Sequence, residues 1–114
     1  LNSCSVIAWE AHEGDYNELG ATIVHEGSHF LSLPHTTESD GRVFDLFSDT
    51  PDCSAEVYDD DASGEVEDSE CAQAGSDNYM FWQSSGIVKN FTISPEQAWT
   101  IRRHPLFYQL ESTP

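Results

Sequence analysis

Three of the five histidines fall within eleven residues, as His25, His29 and His35. His25-Glu26-Gly27-Ser28-His29 sets two imidazoles four residues apart. Residues at that spacing project from one face of a helix, so both can reach a single metal ion. Glu26 stands one step round the helix, displaced from the metal but placed to touch a water bound to it, which is the position of a general base. A third ligand is needed, and His35 follows His29 by six residues. In a continuous helix it would lie about 9 Å further along and on another face. The helix must therefore break, and Pro34 disfavours helix in the residue before it, which places the break near Ser32 and Leu33. Three imidazoles and one water would complete a tetrahedral zinc site with an open position, and the chemistry of such a site is hydrolysis by activated water.

The elements that must position these residues are legible in outline. From about residue 17 to 32, Leu19, Ile23, Gly27, Phe30 and Leu31 recur at three-to-four spacing until Pro34 stops the pattern, which predicts an amphipathic helix carrying His25 and His29. Ahead of it, Ser5, Val6, Ile7, Ala8 and Trp9 form a β-favouring run, followed by the turn-like Glu13-Gly14-Asp15. Residues 36–78 are polar, acidic and turn-rich, far longer than an ordinary connection, and predict irregular structure held by ions or disulfides. Ser94-Pro95-Glu96-Gln97 then supplies an N-cap Ser, Pro at the first helical position and Gln three residues on, a capping box. A short second helix should run to about His104 and end before Pro105.

At 114 residues the chain is bounded to a single domain with a modest core. Four Lys and Arg stand against 21 Asp and Glu, for a formal charge of −17. That balance excludes nucleic acid as a partner, because phosphate backbones are neutralised by basic clusters. No stretch approaches the roughly 18 apolar residues of a membrane span. Residues 38–77 hold 14 of the 21 acids, with Arg42 as the only basic residue among them. Such clustering points to a bound cation, whereas a surface made acidic to stay hydrated in salt would spread its charge over the whole chain. Cys4, Cys53 and Cys71 lack a Cys-x-x-Cys pair and suit one disulfide plus a leftover thiol, which predicts an oxidising, extracellular compartment. Leu1 is not followed by a charged-then-apolar leader, so an exported chain would be a processed or excised form.

His25-Glu26-Gly27-Ser28-His29-Phe30-Leu31-Ser32-Leu33-Pro34-His35 resembles the long zinc signature of the metzincin metallopeptidases, H-E-x-x-H-x-x-G-x-x-H. Downstream, Asp49-Thr50-Pro51, Asn78-Tyr79-Met80 and Phe91-Thr92-Ile93-Ser94-Pro95-Glu96-Gln97 resemble, in the same order, segments of the pappalysin-like branch and related secreted bacterial peptidases. The likeness spans residues 22–103, about seven-tenths of the chain. It implies an α+β, zincin-like fold with an active-site helix, a long irregular ion-bound loop, a Met-turn and a C-terminal helix. By the same likeness, residues 1–114 form one peptidase domain lacking most of its N-terminal subdomain. It also implies a secreted zinc endopeptidase acting on peptide or protein substrates, with Glu26 as general base and Met80 as the apolar floor of the Met-turn. Residues 5–10 correspond in position to the strand that lines the cleft. Ser32 takes the family's glycine position, where a left-handed turn costs Ser roughly 1 kcal/mol more than Gly. Trp82 stands two residues after Met80, where the pattern commonly has a Tyr that helps stabilise the oxyanion; an indole offers one N–H.

The acidic loop has a pattern of its own. Asp59, Asp61, Ser63, Glu67 and Glu70 occupy loop positions one, three, five, nine and twelve, with Gly64 at six, Glu65 at seven and Val66 at eight. These are calcium-loop offsets, and hard oxygen ligands suit Ca2+. We read a calcium-type loop closed by Cys53 and Cys71; the pappalysin-like resemblance further implies a second calcium ion in this region, for which Asp40, Asp45 and Asp49 are candidate ligands. His12, His104, Arg102 and Arg103 read as surface residues, and Cys4 as bonded elsewhere. The alternative function is a non-catalytic module or inactive peptidase fragment, in which zinc and calcium stabilise a chain too small for its own core.

Overall fold

The computed structural model describes residues 5–83 and 91–108; Cys4 and the side chain of His12 lie outside them. The first long element, α1 (Tyr16–Phe30), begins where Asp15 accepts a hydrogen bond from the Glu18 N–H at 3.0 Å. That cap satisfies one of the helix's orphan donors. The helix ends in a turn of Schellman type: the Leu33 N–H returns to the Ser28 carbonyl and the Ser32 N–H to the His29 carbonyl, at 3.0 and 2.9 Å. Ser32 is left-handed at φ 75°, as the break before Pro34 requires, and Leu33 is buried directly after it.

The expected strand at residues 5–9 is replaced by extended chain that joins no ladder, followed by one 3-10 turn, Trp9–His12. Trp9 turns toward Tyr16, with ring centroids 6.4 Å apart. A β-favouring run forms a strand only when a neighbour pairs with it, and none does so among the described residues. The β part of the expected α+β architecture is reduced there to two isolated bridges, Thr37 with Phe44 and Asn78 with Thr92.

After α1 the chain is held by turns rather than long elements. One helical turn, α2 (Ala55–Tyr58), interrupts the acidic region. The core lies here: Cys53, Val66, Cys71, Ala74 and Phe81 are buried together, with Ala55, Tyr58 and Trp82 against them. The Cys53–Cys71 disulfide sits inside it, as the loop's flanks predict. Gly41, at φ 59°, allows the chain to pass close over this core, since a Cβ there would come within 2.6 Å of the Ala55 nitrogen. The capping box at Ser94 and Gln97 forms as read and opens α3 (Pro95–Arg102). Glu96 ties that helix back: its carboxylate accepts from the Ser48 N–H and hydroxyl, and its own N–H donates to Asp49. Pro105 ends the pattern but opens a further turn, α4 (Pro105–Tyr108), because proline fits the first position of a helix. No helix among the described residues is long and apolar enough to cross a membrane.

Candidate metal centre

Helix α1 places His25 and His29 on one face, and the turn at Ser32 brings His35 back to meet them. The three Nε2 atoms lie 3.0, 3.1 and 3.2 Å from one another. The rings are not stacked: His29 stands 89° to His25 and 66° to His35.

Each ring is oriented by its other nitrogen. The His25 Nδ1–H donates to the Tyr79 carbonyl at 2.6 Å, and the His29 Nδ1–H to the Leu33 carbonyl at 2.7 Å. The His35 Nδ1–H donates to the Glu38 carboxylate at 2.9 Å. A carbonyl oxygen can only accept, so Nδ1 of His25 and His29 carries a proton, and Nε2 is the ring atom turned toward the cluster. Glu38 orients His35 in the same way. Three Nε2 atoms thus converge on one point, each held there by the bond on its ring's other nitrogen. Zinc–nitrogen bonds of about 2.0–2.1 Å at tetrahedral angles separate the nitrogens by about 3.3 Å, so the donor set and spacing fit zinc. Carbonyl and carboxylate partners on the outer nitrogens are the usual second contacts of metal-bound histidines.

Burial pushes the His25 imidazole below its ordinary pKa; the Tyr79 carbonyl opposes this, and the neighbouring His29 and His35 add to it. The neutral imidazole is the form that binds metal. Glu26 lies beside His25 in the wall of a cavity of about 160 Å³, together with Thr22, Tyr79, Trp82 and Phe91. Tyr79 and Phe91 stack at 5.0 Å.

Met80 is fully buried, and its carbonyl accepts from the Thr36 N–H at 2.9 Å, next to His35. Trp82 does not offer its indole to a reacting oxygen: Nε1–H donates to the Val66 carbonyl at 2.7 Å. Sequence reasoning missed Glu38, although its spacing of three from His35 was visible, and it missed the carbonyls of Tyr79 and Leu33, which no side-chain pattern encodes.

In the acidic loop, the carboxylates of Asp59, Asp61 and Glu70 come together as a group able to hold a metal ion; Glu65 and Glu67 do not join it. Ser63 turns inward on the chain, its hydroxyl donating to the Glu65 carbonyl and its N–H to Asp59 and Asp61. Glu70 accepts from the N–H groups of Glu67 and Asp60. The Glu67 N–H bond holds Glu70 below the ordinary carboxylate range, while the Glu70 carboxylate beside it pushes Asp60 up. Gly64 adopts φ 88°, and Val66 is buried. Asp40, Asp45 and Asp49 are not brought together: they accept from the N–H groups of Arg42, Phe47 and Glu96 respectively, each closing a separate turn or cap. Burial raises the pKa of Asp45. Arg102 and Arg103 are exposed, with Arg103 3.9 Å over the Trp99 ring, and His104 is half-buried near Phe30. No family model, curated protein or solved structure matches this chain.

Proposed function

We propose that this chain is a zinc-dependent endopeptidase of metzincin type, acting outside the cell on peptide or protein substrates. The observation that carries the reading is the convergence of three Nε2 atoms within 3.2 Å of one another, each ring fixed from behind by a hydrogen bond. His25, His29 and His35 would hold the ion, and zinc when bound supplies a Lewis acid and lowers the pKa of water to about 7. Glu26 takes a proton from the attacking water and returns it to the leaving amine nitrogen. Its position beside His25 in the wall of an open cavity supports that role. Asp59, Asp61 and Glu70 would hold Ca2+, offsetting their mutual repulsion.

One observation favours the second reading, a zinc- and calcium-stabilised module without catalysis: the Trp82 N–H is already committed to Val66. Elemental analysis for zinc, paired with cleavage of an unstructured protein with and without chelator, separates the two. The peptidase contains one zinc, cleaves, and stops on chelation. Glu26→Gln should keep its zinc and lose roughly 10²–10⁴-fold in cleavage rate. Undiminished cleavage by that variant overturns the mechanism, and zinc without cleavage by the unaltered chain selects the module.

A further inference from the structure

Two side-chain amides, far apart in sequence, lie buried against each other behind the histidine cluster. Asn78 Nδ2–H donates to Gln97 Oε1 at 2.9 Å, and Gln97 Nε2–H donates to Asn78 Oδ1 at 3.2 Å. Gln97 is fully buried and Asn78 nearly so. Their orientations are not interchangeable. The Met80 N–H donates to Asn78 Oδ1 and the Ser94 N–H to Gln97 Oε1, at 2.8 and 2.9 Å, and only an oxygen can accept from either.

This pair grips the turn at residues 78–80 from the helix side. That turn presents two successive carbonyls toward the histidines: Tyr79 accepts from His25 Nδ1–H, and Met80 accepts from the N–H of Thr36, the residue after His35. Backbone bonds to Thr92 on the Tyr79 N–H and the Asp77 carbonyl hold the same turn at its other edge. His29 is independent of all this, because its acceptor, Leu33, belongs to the turn that ends α1.

We propose that Gln97 is a positioning residue for the metal centre, acting through Asn78 and the Tyr79 carbonyl to aim His25. The inference rests on the zinc reading above. The capping box therefore serves two ends with one side chain: Gln97 Oε1 caps α3 through Ser94, and the whole amide registers α3 against the 78–80 turn. A buried amide pair in which each oxygen accepts two bonds specifies one arrangement, and loss of the donor between the two leaves an acceptor unsatisfied.

Gln97→Glu is the test, since it preserves shape while replacing the Nε2 donor with an acceptor that faces Asn78 Oδ1. On the full chain, zinc affinity is measured by competition with a chelator, and the His Nδ1–H resonances of the zinc-loaded protein are read by NMR. Thr50→Val, which deletes a hydroxyl bonded to Asp45 and unconnected to His25, is the control for general loss of stability. Expected for Gln97→Glu is a zinc affinity roughly 10–100-fold weaker, the range for loss of an outer partner of a metal ligand. The His25 Nδ1–H resonance should move upfield while that of His29 stays, and Thr50→Val should leave zinc affinity unchanged. Unaltered affinity, or equal movement of the His25 and His29 resonances, overturns the positioning role and leaves the zinc reading intact. Should Gln97→Glu fail to fold, Asn78→Asp decides: it keeps both bonds accepted by Oδ1, removes the donor to Gln97, and should weaken zinc by about 10-fold. Unaltered zinc affinity in Asn78→Asp overturns the proposal. An unaltered chain that binds no zinc overturns both the reading and the inference.

Discussion

The histidine cluster and the acidic loop are both groups able to hold a metal ion, but they are assembled in opposite ways. Each imidazole is aimed by a partner outside the cluster, in two cases a backbone carbonyl, one of them 54 residues away. The acidic loop is aimed by itself: its carboxylates accept from N–H groups at residues 60, 63, 64 and 67, all within the loop. A site whose ligands are oriented by the surrounding fold keeps its geometry without the ion, whereas one built from its own exposed turns depends on the ion to overcome repulsion. Metal should therefore act on the two regions differently, as a reagent in the first and as part of the fold in the second.

The sharpest way to break this comparison is to remove a ligand from the pre-aimed site. His29→Ala leaves two imidazoles and should abolish stoichiometric zinc while the far-ultraviolet circular dichroism of α1 persists, because the ring's outer bond reaches only the end of its own helix. Collapse of the secondary structure in this variant would show that the fold needs its zinc, and the two regions would then be alike.

The next largest effect tests what holds the acidic region together. Cys53 and Cys71 close a loop with a sequence separation of 18. Opening a loop of this size costs about 3 kcal/mol, seen as a lower denaturation midpoint for the double Ala variant. If the comparison is right, zinc affinity of the protein that stays folded changes little. A parallel loss of zinc would mean that the buried cluster around Phe81 transmits strain to the neighbouring Met80 turn.

Calcium should have a smaller effect, confined to the second region. Affinities of about 0.1–1 mM, usual for extracellular calcium modules, would let 10 mM calcium add roughly 1.4–2.7 kcal/mol to stability. Thermal melts should show this gain and should lose it in Glu70→Gln, since Glu70 is one of the three grouped carboxylates. An equal gain from sodium chloride at about 30 mM, the same ionic strength, would reduce the loop to a solvated acidic surface relieved by screening.

Legibility in the sequence follows the same division. Periodicity and caps are local signals, so α1 and the Ser94 capping box could be read directly, as could the histidine spacing and the need for a turn before Pro34. What could not be read depends on which backbone groups meet. The carbonyls of Tyr79 and Leu33 have no side-chain signature, and the pairing of Asn78 with Gln97 spans 19 residues. Trp82 was legible as an indole near Met80, but that its N–H is spent on Val66 follows from packing alone. The run at residues 5–9 misled because β-propensity describes fitness for a pleated neighbour, and the described residues supply none.

The smallest expected effect lies where the histidine site does carry strain. Ser32 sits at φ 75°, and its turn delivers both His35 and the Leu33 carbonyl that orients His29. Glycine reaches this conformation without the Cβ clash, at the expense of greater freedom in the unfolded chain. The first effect is the larger at a left-handed position, so Ser32→Gly should stabilise the protein by up to about 1 kcal/mol, read as a raised denaturation midpoint. Zinc affinity should not fall, because the Leu33 and Ser32 N–H bonds that define the turn are made by the backbone and survive the change. A stabilised protein with weakened zinc would mean that Ser32 restrains the turn as well as straining it, and that the site is aimed partly by that strain.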